Sequence, residues 1–150
     1  MRPCIRKLVC VALTLVPFAL RAETATVRGY WLEPSGSVLR IARCENKLCI
    51  YVVALSPGDH PDVDVHNPDR KLRGRRLCGL RIGEDFIEKD TRHADGGYLY
   101  DPKTGRTYRG SMTAEGDRLE LRGYVGIKLF GRTETWARAR PIASSCRRQR

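Results

Sequence analysis

The chain has 150 residues, of which 41% are apolar and 30% charged, and its 28 Lys and Arg against 17 Asp and Glu give a formal net charge of +11. This length and balance are typical of one soluble globular domain, and they exclude a disordered chain and a polytopic membrane protein. They leave the activity open.

The first 22 residues predict a cleaved export signal. A basic start is followed by an uncharged apolar run from Leu8 to Leu20, which is short for a membrane span, and Ala22 offers a small residue at the cleavage position. We therefore expect a mature chain of residues 23–150, located in the periplasm or secreted, without a transmembrane segment. The signal removes four basic residues and no acids, so the net charge falls from +11 to +7.

The remaining positive charge favours an anionic partner, such as lipid headgroups or another anionic component of the cell envelope. The alternative is that the arginines are simply scattered over the solvent faces of the strands. No basic run interleaves with aromatic residues, so the pattern does not indicate specific nucleic-acid binding.

The mature chain carries four cysteines, and an even number in an exported protein indicates disulfides. Cys44 and Cys49 flank a polar turn between two apolar segments, which favours a local cross-strand bridge. Cys78 and Cys146 are then left to pair by subtraction; the alternative for them is a buried thiol and a free cysteine in the tail.

Apolar residues alternate with polar ones along the first half of the chain, and turn residues recur every 8 to 12 positions or so, which is the pattern of an all-β protein. The predicted strands here are Thr26–Glu33, Val38–Ile41 and Ile50–Leu55. A polar stretch from Ser56 to Arg76 interrupts the pattern, and within it Asn67 as N-cap and Pro68 at the first helical position predict a short helix to Arg73.

The second half of the chain returns to strands. A charged loop from Glu88 to Asp95, with His93 exposed, separates two of them, and Asp101–Gly105 is a tight hairpin turn. The strands are centred on Leu77–Ile87, Gly97–Tyr100, Tyr108–Met112, Leu119–Gly123 and Thr133–Ala139. About eight strands with short connections predict a small up-and-down antiparallel barrel, and an open sandwich is the alternative.

Several short motifs in the chain resemble those of a known family. Gly29-Tyr30-Trp31 on the first strand is similar to the G-x-W start of a calycin, or lipocalin-like, barrel. More specifically, the chain resembles the secreted bacterial family called domain of unknown function 2147, from about Gly29 to Arg138. The matching segments are Cys44 with Cys49, Asn67–Asp69, Leu77–Leu80, Gly96-Gly97, Tyr100–Pro102, Gly105–Tyr108, Leu121–Gly126, Leu129–Thr133 and Trp136.

The resemblance implies an exported barrel of uncharacterised function, with a basic residue of the last strand lying over the tryptophan of the first. Trp31 and Arg138 fit these two positions. The first and last strands are neighbours in a closed barrel, so we expect a guanidinium–indole contact that seals one end and has a structural role.

Within the segment from Asp59 to His66, two His and two Asp alternate with other residues: His60, Asp62, Asp64 and His66. Imidazole and carboxylate groups are common ligands of Zn²⁺ and similar metals. An extended run of this length spans about 20 Å at roughly 3.3 Å per residue, too far for four ligands to meet one ion. A solvated loop is therefore favoured over a metal-dependent enzyme. The sequence holds no G-x-S-x-G elbow and no phosphate loop ahead of a helix, so we expect no catalytic residues, cofactor or metal.

Aromatic residues of the second half could line a cavity or fill the core. Tyr100, Tyr108 and Tyr124 are the candidate wall residues of a ligand site at the mouth opposite Trp31. The alternation along the strand, however, points Tyr100 to the face opposite that of Leu99. The apolar stretch Val125–Phe130 is a rim loop, a lid or a continued strand. The leading hypothesis is an exported barrel that binds a small apolar or amphipathic ligand, and the alternative is an envelope interaction protein with a filled barrel.

Overall fold

The computed structural model describes residues 25–58, 61–142 and 146, so the predicted export signal lies outside the described residues. Eight antiparallel strands close into a barrel in which each strand pairs with its neighbours in chain order. They are β1 Gly29–Leu32, β2 Val38–Cys44, β3 Lys47–Ala54, β4 Arg81–Glu88, β5 His93–Asp101, β6 Arg106–Glu115, β7 Arg118–Tyr124 and β8 Arg132–Ala139.

The predicted all-β barrel is confirmed. Closure occurs where β1 pairs with β8, with Trp31 opposite Arg138, and this pairing excludes the open sandwich. Among the described residues no helix is long and apolar enough to cross a membrane.

Several strand boundaries differ from the sequence prediction, and the strands are shortened in some places and lengthened in others. β1 begins at Gly29 rather than Thr26, because Val27 turns across one end of the barrel and donates its N–H to the carbonyl of Thr91 at 2.8 Å. β4 begins at Arg81 rather than Leu77. The predicted charged loop ends early, since His93 already opens β5.

The predicted helix from Asn67 to Arg73 is wrong in extent and in its cap. The structure has a single 3₁₀ turn, Arg70–Leu72, and its N-cap is Asp69, whose carboxylate accepts from the N–H of Lys71. Asn67 is instead buried and its amide donates to Asp64. The Asn67 side-chain oxygen still accepts the N–H of Asp69 at 2.9 Å, so this side chain serves a local turn and the contact with Asp64 at once.

The centre of the barrel interior is packed with its own side chains. Phe86 of β4 is fully buried, and a Cβ at Gly97 would overlap its ring while one at Gly110 would lie 2.8 Å from it. The two glycines thus leave room for the ring on the inner face of β5 and β6. The other fully or almost fully buried side chains include Trp31, Ile41, Leu48, Ile50, Met112, Leu119, Leu121 and Trp136.

The two barrel ends differ in how they are covered. We call the end with Val27, Trp31 and the β2–β3 turn the closed end, and the opposite end, with the β1–β2, β5–β6 and β7–β8 connections, the mouth. The segment 55–80, here called the insertion, joins β3 to β4 at the mouth. A Cβ at Gly105 would overlap the backbone carbonyl of His66, so the insertion packs directly on the β5–β6 turn.

Two disulfides join described cysteines. Cys44 pairs with Cys49 at a Cα–Cα distance of 5.8 Å, and Cys78 pairs with Cys146 at 5.2 Å. The first clamps the β2–β3 hairpin, and the second ties the end of the insertion to the C-terminal segment, so both predicted pairings are confirmed.

Candidate binding surfaces

The closed end is sealed by Trp31 and Arg138. Trp31 is fully buried, and its Nε1 donates to the carbonyl of Val27 at 2.9 Å. The guanidinium carbon of Arg138 lies 3.6 Å from the centroid of the Trp31 ring, and its two terminal nitrogens donate to the carbonyls of Arg28 and Thr26. Arg138 therefore holds the entering chain over the indole, and the two side chains cover this end of the barrel.

The insertion is fixed at the rim of the mouth by a buried carboxylate. Asp64 is fully buried and accepts from the Tyr100 hydroxyl at 2.6 Å, the Asn67 amide at 2.7 Å and the Arg75 Nε at 2.8 Å. Glu33 of the β1–β2 turn also lies 3.7 Å from the Lys103 ammonium of the β5–β6 turn, so an ion pair links two turns across the mouth. We call the Asp64 cluster and its partners the roof.

The stability that the roof contributes depends on pH. Burial raises the pKa of Asp64, but the hydrogen bonds from Tyr100, Asn67 and Arg75 outweigh burial and hold the pKa below its ordinary value. A carboxyl with a lowered folded-state pKa contributes stability above its unfolded pKa of about 3.9, and this contribution is lost as the pH falls through the folded-state value.

We expect Asp64→Asn to lower the free energy of unfolding by roughly 2 kcal/mol near neutral pH, because three hydrogen bonds lose their charged acceptor. The difference from wild type should shrink as the pH falls below about 4, where the unfolded carboxyl protonates, and through the lower folded-state pKa of Asp64. Urea unfolding at several pH values measures this. Asp62→Asn changes an exposed acid two residues away and should unfold like wild type; a constant deficit of Asp64→Asn at every pH would contradict the assignment.

The structure does not bring the three candidate tyrosines together. Tyr108 shares the inward register of Gly110 and lies near Gly123 at the mouth. Tyr100 and Tyr124 have the outward register: Tyr100 lies under the insertion with its hydroxyl on Asp64, and Tyr124 pairs with Arg109 on the outer wall. Only Tyr108 is thus placed on the inner face where a cargo would bind.

The Asp/His segment does not gather as a metal site in the described part of the chain. Asp59 and His60 lie outside the described residues. Asp64 is buried in the roof and forms an ion pair with Arg75, whereas Asp62 and His66 are exposed. No group of three or more His, Cys, Asp or Glu side chains among the described residues is placed to hold an ion.

The imidazole of His93 also has a hydrogen-bonding partner, Asp90. Its Nδ1 lies 2.8 Å from an oxygen of Asp90, and that carboxylate also accepts the backbone N–H groups of Arg92 and His93. The histidine therefore stabilises the β4–β5 turn.

The best-defined clefts of the described residues lie outside the barrel. The larger encloses about 340 Å³ and is shallow and open. It is lined by Arg75, Leu80, Arg81, Ile82, Glu84, Tyr98, Tyr100 and Thr107, which mix both signs of charge. The second, at the β2–β3 turn, is lined mainly by polar residues. Neither resembles the mostly apolar pocket of a small-molecule site.

The most unusual surface of the described chain is the connection Val125–Gly131, here called the apolar loop. Of the three structures that the sequence allows for this stretch, it adopts the rim loop, with one 3₁₀ turn at Lys128–Phe130. Four of its large apolar side chains are mostly exposed to solvent, at 73%, 59%, 76% and 78% for Val125, Ile127, Leu129 and Phe130. Single exposed apolar residues are ordinary, but a cluster of this kind marks an interaction surface.

The apolar loop is braced on the outer wall of the barrel. Arg122 of β7 donates to the carbonyl of Lys128 at 2.6 and 2.9 Å and to that of Leu129 at 3.2 Å. Lys128 pairs with Asp95 of β5 at 2.5 Å, and its ammonium lies 6.0 Å from the Tyr124 ring. The exposed side chains are therefore presented by a backbone that charged side chains hold in place.

The sequence shows the apolar run but does not identify it as the site. Its signal is the composition of the segment: four large apolar residues in six positions between two strands, with a lysine among them. What the sequence lacks is their exposure, which depends on Arg122 and Asp95 drawing the loop onto the outer wall.

Comparison with known proteins supports the fold. A family model described as an uncharacterized protein conserved in bacteria, DUF2147, matches residues 29–138. A solved structure described as protein HP1028 from the human pathogen Helicobacter pylori, belonging to the lipocalin family, is similar with a TM-score of 0.71 and 25% identity, over 78% of this chain and 85% of the other. No curated protein matches the chain.

Proposed function

The chain belongs to the DUF2147 family of bacterial proteins, and for this lipocalin-like barrel we propose the role of a non-enzymatic interaction protein of the cell envelope. Its binding surface is the outer wall around the apolar loop, and its partner is an anionic envelope component. The interior of the barrel has a structural role.

The filled interior is the observation that carries this proposal. Trp31 and Phe86 are both fully buried, and Gly97 and Gly110 lie where any larger residue would collide with the Phe86 ring. A cargo inside the barrel would have to displace these side chains, whereas the outer wall already presents an unpartnered apolar cluster.

The disulfides support an extracytoplasmic location. Such bonds persist in oxidising compartments and are rare in the bacterial cytosol. Two are formed in the described chain, and one of them joins residues separated by 68 positions.

A second function, the carriage of a small apolar or amphipathic ligand, is favoured by the lipocalin-family neighbour. In this alternative the ligand would enter at the mouth beside Tyr108, and any movement of the insertion would have to break its hydrogen bond from Tyr100 to Asp64. The two functions differ in which residues they need: carriage needs the mouth, and surface binding needs the apolar loop.

Cell fractionation of the host tests the proposed function. We expect the wild-type chain to accompany the envelope fraction and the variant Leu129→Ser/Phe130→Ser to be released, because it loses the two most exposed apolar side chains. Val65→Ser/Leu72→Ser is the matched control, since it removes two large apolar side chains exposed at 38% and 40% on the insertion. Release of the control variant alone, or retention of the loop variant, would contradict the proposal.

A further inference from the structure

The apolar loop is a small surface, which limits the kind of partner that it fits. It has seven residues, whereas a stable protein–protein interface uses about 20–30 residues on each side. Its four exposed side chains project from a single short connection at the mouth rim. An apolar surface of this size suits partial insertion into the headgroup and acyl boundary of a bilayer, where apolar side chains leave water without a complementary groove.

The backbone of the loop is prepared for a medium of low polarity. A carbonyl that loses water without gaining another donor is costly to bury in lipid. Arg122 already donates to the carbonyls of Lys128 and Leu129, and the N–H of Gly131 donates to Lys128 as well. The tip of the loop can therefore leave water with these carbonyls still hydrogen-bonded.

The charges around the loop select the kind of lipid. Lys128 lies within it, Arg132 follows it as an exposed residue, and Arg109 lies beside Tyr124 on the neighbouring strand. Asp95 is the carboxylate that Lys128 contacts, and burial raises its pKa while Lys128, the Gly96 N–H and Lys89 lower it to a net value below the ordinary one. These three cations outnumber the two nearby acids, Asp95 and the exposed Glu134 of β8, and such a rim attracts anionic headgroups.

We propose that Val125, Ile127, Leu129 and Phe130 insert into the surface of an anionic phospholipid bilayer, with Lys128, Arg132 and Arg109 facing the headgroups. The inference rests on the proposed function and identifies its anionic partner as a lipid surface. The barrel stays outside the bilayer, and its closed end faces away from the lipid.

Vesicle co-sedimentation tests this with the full disulfide-bonded chain. We expect wild type and Val65→Ser/Leu72→Ser to sediment with vesicles of mixed phosphatidylglycerol and phosphatidylcholine, less with phosphatidylcholine alone, and less again as salt is added. Leu129→Ser/Phe130→Ser should bind the mixed vesicles at least about tenfold more weakly, since each lost side chain removes a large apolar area from the interface. Equal binding of the loop variant, or no preference for anionic vesicles, would overturn the inference.

A fluorescence readout separates insertion from mere adhesion. The two native tryptophans, Trp31 and Trp136, are 0% and 3% exposed, so a tryptophan placed at position 130 dominates any change on vesicle binding. The emission of Phe130→Trp should shift to the blue with anionic vesicles, and an unchanged spectrum on bound protein would overturn insertion.

Two further outcomes would also reject a lipid surface as the partner. If fractionation depends on the apolar loop but wild type ignores vesicles, the proposed function survives and its partner is not a lipid surface. If sedimentation velocity without vesicles shows a dimer for wild type and a monomer for Leu129→Ser/Phe130→Ser, the loop is covered by a second copy of the chain.

Discussion

Trp31→Ala is expected to lower the free energy of unfolding by about 3–5 kcal/mol, the usual cost of deleting a large buried aromatic side chain. The indole is fully buried at the closed end and donates a hydrogen bond to the carbonyl of Val27. The variant also removes the ring on which Arg138 rests, so the arginine loses a contact worth about 0.5–2 kcal/mol. Urea unfolding followed by circular dichroism measures the loss.

Leu32→Ala is the matched control because it alters the next residue on the same strand, which is 41% exposed. Its free energy of unfolding should stay within about 0.5 kcal/mol of wild type, as is usual for surface positions. A Trp31→Ala midpoint equal to that of wild type would show that the closed end does not depend on the indole.

Removing the Cys78–Cys146 bridge should destabilise the protein more than removing Cys44–Cys49. The entropy that a crosslink takes from the unfolded chain grows with the length of the loop that it closes. The sequence separations are 68 and 5, and they correspond to about 4 and about 2 kcal/mol on the chain-entropy relation.

The double alanine variants of each pair, compared by urea unfolding, measure the two costs. Cys49 is almost fully buried, so the variant that lacks Cys44–Cys49 also loses a little packing. This loss makes the two free energies of unfolding more alike, but it does not reverse their order. A larger loss for the Cys44–Cys49 pair would show that the tail disulfide does not hold the insertion and the C-terminal segment together in the way described.

The barrel could be predicted from the sequence because its strands and turns are set by residues that are close together in the chain. Strict alternation in β7 places Leu119 and Leu121 inside, and Asp101 with Gly105 forms the β5–β6 turn, in which Gly105 takes a φ of +71°. Each of these features is set by residues within a few positions of one another, so the sequence pattern alone indicates it.

The insertion was not predictable in the same way because its structure depends on distant residues. The sequence predicts Asn67 as a helix cap, but its amide binds Asp64 and the hydroxyl of Tyr100. Tyr100 lies 33 positions further along the chain, so a local pattern cannot show this contact. The reason for Gly97 and Gly110 likewise depends on a distant residue, because only the position of Phe86 on another strand shows that they make room for a ring. Exposure of the apolar loop depends on the same kind of contact, between Lys128 and Asp95.

The proposed function requires a filled barrel that binds its partner through the outer surface. Native mass spectrometry of the protein purified from its host, run alongside Leu129→Ser/Phe130→Ser and followed by organic extraction, tests it most directly. We expect the loop variant to have the mass of the polypeptide alone with both disulfides intact. An organic molecule that stays bound to the loop variant and is released on extraction would place a cargo inside the barrel and contradict the account.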